Sequence, residues 1–127
     1  GDIYFVNFGR DTESNLQCGI RPALVVSNNR ANENSPVITV IPLTARTYKK
    51  PHFPTHVLIP ETFGTGLARN SMALAEQVST IDKSCLMEKT GTITDIKIMT
   101  EVTKALQIQI GAVERYNLLL YFFERKS

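Results

Sequence analysis

The sequence has no tryptophan and only two cysteines and two histidines in 127 residues, and each scarcity excludes something. Cys18 and Cys85 form neither a metal-ligand spacing nor the disulfide framework of a small secreted domain, so both are expected as reduced thiols. His52 and His56 are four apart, but Pro51 and Pro54 oppose the helix that would set them on one face, which favours a loop or structural role over metal binding. There is no glycine-rich phosphate loop, no His-Glu-x-x-His and no nucleophile elbow. Neither a metal nor a cofactor is expected. Long apolar runs are missing too: Leu118–Phe123 is far too short to span a bilayer, and no basic-then-apolar leader precedes Asp2. The expectation is a cytoplasmic protein with no membrane partner.

What is present fits one domain. Hydrophobic residues at 43% and charged residues at 20% are ordinary for a soluble fold and far from the profile of disorder. The net charge of +2 is too small to announce a nucleic-acid partner, but its distribution is uneven. Between residues 14 and 75, Arg21, Arg30, Arg46, Lys49, Lys50 and Arg69 face only Glu33 and Glu61, so the positive field is central and suits an anionic ligand.

Short β-like runs fill the first two thirds: Ile3–Phe8, Ala23–Ser27, Val37–Leu43, His56–Ile59 and Ser71–Val78. Breaks rich in Gly, Pro, Asn, Ser and Thr separate them, with no helix between, which predicts an antiparallel barrel or sandwich. From Ile98 the period changes. Ile98, Met99, Val102, Ala105, Leu106, Ile110 and Val113 recur at three and four residues, a helical stripe with Thr94 or Asp95 as N-cap. A shorter helical turn is expected over Lys83–Glu88, ended by Gly91. So apolar a stripe exceeds what a small barrel covers, which predicts a homodimer.

Arg21 and Pro22 stand at the mouth of the apolar run Ala23–Val26, where proline's missing N–H suits the first residue of a strand. Thr44 closes the next run. If the two strands pair antiparallel, guanidinium and hydroxyl share one end of the sheet and can hold phosphate oxygens. Read alone, the pair is more readily an arginine capping a carbonyl and a threonine in a turn. The stretch Thr44–Phe53 interleaves Arg46, Lys49 and Lys50 with Tyr48 and Phe53, a mixture suited to single-stranded nucleic acid, although alone it is more readily a solvated hairpin tip.

A series of segments in order resembles the PemK/MazF family, the ribonuclease toxins of bacterial toxin–antitoxin pairs: Gly1–Phe5, Gly19–Val26, Leu43-Thr44, Pro54–Val57, Glu76–Lys83 and, closing it, Lys104–Ile108. The likeness covers residues 1–112 of a single domain spanning 1–127, with a helix extension and tail at 113–127. It implies an SH3-like antiparallel β-barrel with a C-terminal helix, a mainly β or α+β class, and a homodimer that cleaves single-stranded RNA at short sequences without metal. Arg21 and Thr44 align with the family's catalytic pair. The 2′-hydroxyl of the substrate attacks the adjacent phosphate, leaving a 2′,3′-cyclic phosphate and a 5′-hydroxyl. Arg46, Tyr48, Lys49, Lys50, His56 and Gln77 are the expected RNA-binding residues, and the expected further partner is a cognate antitoxin whose acidic, disordered segment lies across the dimer.

One position departs from the pattern. Many relatives carry Glu-Gln before the glycine, where this chain has Leu16-Gln17. The general base is therefore open among Glu13, His56, Glu76 and the hydroxyl of Thr44. Two other readings compete: a gyrase-poisoning relative, opposed by the absence of tryptophan, and an SH3-like binding module in which the Arg21 and Thr44 pocket is idle.

Overall fold

The computed structural model describes residues 1–9, 16–46 and 53–112. In chain order these form β1 (Asp2–Asn7), β2 (Ile20–Val25), a short helix α1 (Asn29–Asn34), β3 (Val37–Thr44), β4 (His56–Ile59), β5 (Ser71–Leu74), β6 (Ser79–Asp82), β7 (Leu86–Thr92) and the long helix α2 (Ile96–Gln109). Single 3-10 turns at Ala75–Gln77 and Lys83–Cys85 connect β5 to β6 and β6 to β7.

Every strand pairing is antiparallel, in the order β4-β5-β3-β2-β1-β7 with β6 also on β3. β3 organises the sheet. One of its edges pairs β2, from Ala23↔Pro42 to Val25↔Val40. The other is divided between β6, along Val37–Val40, and β5, at Leu43 and Thr44. Pro42 sits at the hand-over, where the second edge is between partners and a missing N–H costs least. Pro22 is the third residue of β2 rather than its first, tolerated because the β3 ladder begins only at Ala23 while β1 already pairs it through Phe5.

The strand pairings alone leave the barrel open between β4 and β7. A loop fills the seam. Thr92 N donates to Gly64 O at 2.9 Å, and the Thr90 hydroxyl donates to Thr65 O at 3.0 Å, so the β4–β5 connection lies directly on β7. The approach is close because both sides carry glycine: a Cβ on Gly91 would lie 2.0 Å from Gly64 O, and one on Gly66 would lie 2.1 Å from Thr90 O. On the same edge Asp2 accepts from the Thr92 hydroxyl at 2.8 Å and pairs with Lys89 at 3.4 Å. Burial raises the Asp2 carboxyl pKa, but these partners outweigh it and hold it below its ordinary value.

Alternation gives the sheet two apolar faces. Ile3, Leu24, Ile41, Leu43, Val57, Ile59 and Ala73 pack with Val102 and Ala105 of α2, while Val6, Ala23, Val25, Ile38 and Val40 form a second cluster with Tyr4, Phe8 and Leu86. α2 begins at Asp95, whose carboxylate accepts from Lys97 N at 2.8 Å. The predicted stripe Ile98, Met99, Val102, Ala105 and Leu106 is the face it buries, and Ile110 is exposed.

Several expectations are corrected. The run Ser71–Val78 is not one strand: Ala75–Gln77 turns a corner and β6 starts afresh. The helical turn over Lys83–Glu88 is confined to Lys83–Cys85, and Leu86–Thr92 is a strand paired to β1. The break between β2 and β3 contains α1, capped by the Asn28 side chain accepting from Ala31 N. Val113 and the tail at 113–127 lie outside the described residues.

Candidate active site

Strand alternation decides which side chains share a face. On β2, Leu24 enters the cluster beneath α2, whereas Ala23 and Val25 enter the other, and Arg21 shares their face. On β3, Leu43 points toward α2 and Val40 away, so Thr44 lies on Val40's side. The β2–β3 ladder ends at Ala23↔Pro42, two residues short of both Arg21 on β2 and Thr44 on β3, so the two stand at the same end of neighbouring strands. By the same count Met72, paired to Thr44, and His56 fall on this face, because Ala73 and Val57 point to the α2 side.

Arg21 is half-buried and its Nε donates to Cys18 O at 2.9 Å. The arginine does cap a carbonyl, but this uses one of five N–H groups and orients the fork. Among the described residues no other hydrogen bond or ion pair engages the guanidinium. Thr44 is 3% exposed, and its Oγ1 accepts from Arg46 N at 3.3 Å, leaving the hydroxyl proton to donate.

The segment that carries Cys18 is tied to the next strand pair. Gln17 N donates to the Gln77 Oε1 at 2.8 Å, so the turn after β5 and the approach to β2 are clasped together. At that turn His56 Nε2 donates to Glu76 Oε1 at 2.8 Å, and the imidazole stands edge-on to Phe53 with ring centroids 5.0 Å apart. The His56 side chain is 1% exposed. It is thus held inside by Glu76 rather than presented to solvent. Glu76 Oε2 is buried and, among the described residues, accepts no hydrogen bond, a costly arrangement for a carboxylate oxygen.

The sequence-predicted residues divide accordingly. Arg21 and Thr44 stand at the same end of neighbouring strands, Gln77 holds Gln17 beside the Cys18 that Arg21 caps, and Arg46 is exposed just beyond Thr44. Tyr48, Lys49, Lys50 and Glu13 lie outside the described residues. Leu16 is exposed where many relatives place glutamate. Arg69, read from the sequence only as part of the central charge, lines the same surface groove as Arg21. No pattern marks it, because its place depends on how the β4–β5 loop docks. Among the described residues, no helix is long and apolar enough to cross a membrane.

Arg21 near the start of β2 and Thr44 at the end of β3 thus stand in an antiparallel sheet with one long helix packed on its face. The family model described as "PemK-like, MazF-like toxin of type II toxin-antitoxin system" matches residues 1–110. The chain belongs to this family. Endoribonuclease EndoA of Bacillus subtilis is 39% identical over 114 residues, which cover 90% of this chain and 95% of that protein. Endoribonuclease MazF of Staphylococcus saprophyticus is 37% identical over 111 residues, covering 87% and 89%. In three dimensions, MazF from Deinococcus radiodurans superposes with a TM-score of 0.71 at 25% identity, covering 87% of this chain and 94% of that one. A mycobacterial endoribonuclease solved in complex with its cognate antitoxin gives 0.69 at 24% identity, covering 87% and 92%, a likeness of fold.

Proposed function

We propose that this family member is an endoribonuclease toxin that cleaves single-stranded RNA without metal, by attack of the ribose 2′-hydroxyl on the neighbouring phosphate. The observation that carries the reading is the 39% identity to an endoribonuclease over 90% of the chain, in which Arg21 and Thr44 stand at the same end of neighbouring strands. The substrate supplies the nucleophile. As the O2′–P bond forms, charge grows on the non-bridging oxygens, and a preoriented guanidinium and hydroxyl stabilise it more than they stabilise the ground state. The P–O5′ bond then breaks, giving a 2′,3′-cyclic phosphate and a 5′-hydroxyl.

A base must take the 2′-hydroxyl proton, and an acid must return one to O5′. Of the candidates, His56 Nε2 is engaged by Glu76 and Thr44 Oγ1 accepts from Arg46 N, whereas Glu76 Oε2 is an acceptor with nothing bound among the described residues. The reading is tested by incubating the protein with long single-stranded RNA in EDTA. Discrete fragments ending in cyclic phosphate are expected; intact RNA overturns it.

The basic segment after Thr44 serves affinity rather than sequence choice in this reading. Replacing Lys49 and Lys50 with alanine is expected to weaken RNA binding across all sequences. The log–log slope of affinity against salt should become shallower by about 0.7 for each phosphate that is no longer neutralised. Anisotropy titrations at several salt concentrations read both quantities.

The functional unit is a homodimer, and an acidic, disordered segment of a cognate antitoxin is the partner that the central positive field would attract. Exposed Leu58, Ile96 and Ile110 leave apolar surface for a second copy. Sedimentation at micromolar concentration is expected to give twice the chain mass.

A further inference from the structure

Beside Arg21 runs an open groove of about 310 Å³ that the proposed reaction leaves unused, lined at the end of β3 by Leu43 and Ala45, the two chain neighbours of Thr44. One wall is the later half of β1 and the start of β2, with Phe5, Ile20 and Pro22; the other is the β4–β5 loop, with Leu67 and Arg69. Ile20 is 57% exposed although it belongs to a strand, so an apolar side chain is displayed on the groove's rim. Arg21 contributes from the end nearest Thr44, and among the described residues no carboxylate lines the groove. The second wall is fixed, since the loop that carries Arg69 is pinned to β7 through Gly64, Thr65 and Gly66. Apolar floor and flanking cations are what an unpaired nucleotide requires, the base lying on hydrocarbon and its phosphate meeting a guanidinium.

We infer that this groove seats the nucleotide adjoining the scissile phosphate, with its base against Ile20, Pro22 and Leu67 and its further phosphate on Arg69. The inference rests on the ribonuclease reading above. Arg69 is a positioning residue: it holds the strand so that the bond to be cut lies at Arg21. It is exposed and has no ion pair among the described residues, so its guanidinium reaches a ligand without leaving a partner. Because the interaction is made equally in ground and transition states, it affects KM and leaves kcat nearly alone.

The test compares the parent protein with Arg69→Ala and Ile20→Asn, both at exposed positions, on an oligoribonucleotide taken from a mapped cleavage site. Arg69→Ala is expected to raise KM about tenfold to a hundredfold with kcat within about twofold, since a charge-assisted hydrogen bond carries that much. Arg69→Lys recovers part of the loss through charge alone. In the parent, one abasic nucleotide beside the cleaved bond weakens binding of a 2′-O-methyl version of the oligonucleotide, and in Ile20→Asn the same abasic change has a smaller effect. Cleavage by the parent with unchanged KM in both variants overturns the groove assignment while leaving the ribonuclease reading intact. If the parent neither cleaves RNA nor binds the 2′-O-methyl oligonucleotide, both readings fall.

Discussion

Arg21→Ala is expected to lower kcat for RNA cleavage by about a hundredfold to a thousandfold while the unfolding midpoint stays near that of the parent. The magnitude follows from the loss of one preorganised donor aimed at developing charge, about 3 kcal/mol of transition-state stabilisation. The fold should survive because Arg21 lies where β2 pairs only with β1, and among the described residues its side chain's one hydrogen bond is to Cys18 O on a partly exposed segment. Arg21→Lys separates charge from geometry. Lysine retains the charge but lacks the planar fork, so it too should be slow, and near-parental activity would make Arg21 a distant field only. Parental cleavage by Arg21→Ala with a normal midpoint would show that the carbonyl cap is its whole role.

The largest expected loss of stability is at Gly91, far from any reacting atom. An alanine Cβ there would lie 2.0 Å from Gly64 O and 2.5 Å from Thr65 O, and both obstacles are backbone rather than the end of a flexible side chain. Either β7 or the β4–β5 loop must retreat, with loss of the Thr92 N to Gly64 O hydrogen bond. Together these cost about 3 kcal/mol, near the upper end for an overpacked site, and lower the thermal midpoint by about 10 °C. Lys89→Ala on the same strand is the comparison, with an effect within about 0.5 kcal/mol because the side chain is exposed. A Gly91→Ala midpoint equal to the parent's would mean that the loop does not seal the seam.

How much of this could be read beforehand varies with what each segment buries. β1, β3, β4 and the stripe of α2 were legible because their apolar residues recur at the period of the structure they form. β7 was not: Met87, Glu88 and Lys89 are exposed and the strand offers no apolar alternation, so its place is decided by pairing with β1. α1 buries no residue and rests on its Asn28 cap. The corner at Ala75–Gln77 was hidden because Ala75 is as buried as the strand before it. At the site, the placing of Arg21 and Thr44 at one end of neighbouring strands was legible, since in an antiparallel pair the start of one strand lies beside the end of the next. The enclosure of His56 by Glu76 was not, because residues 20 apart in sequence meet only through that hidden corner.

The same pairings impose an order in time. Arg21 and Thr44 belong to neighbouring strands, and pairing these strands closes a short span of chain. β1 lies between β2 and β7, so its second edge is satisfied only when residues 86–92 arrive, and the Gly64–Thr92 seal waits on the same event. Closing so long a span is entropically slow compared with a local hairpin. A chain leaving the ribosome therefore pairs β2 with β3 early but completes the edges of β1 only after most of the domain has been made, when β7 finds β1.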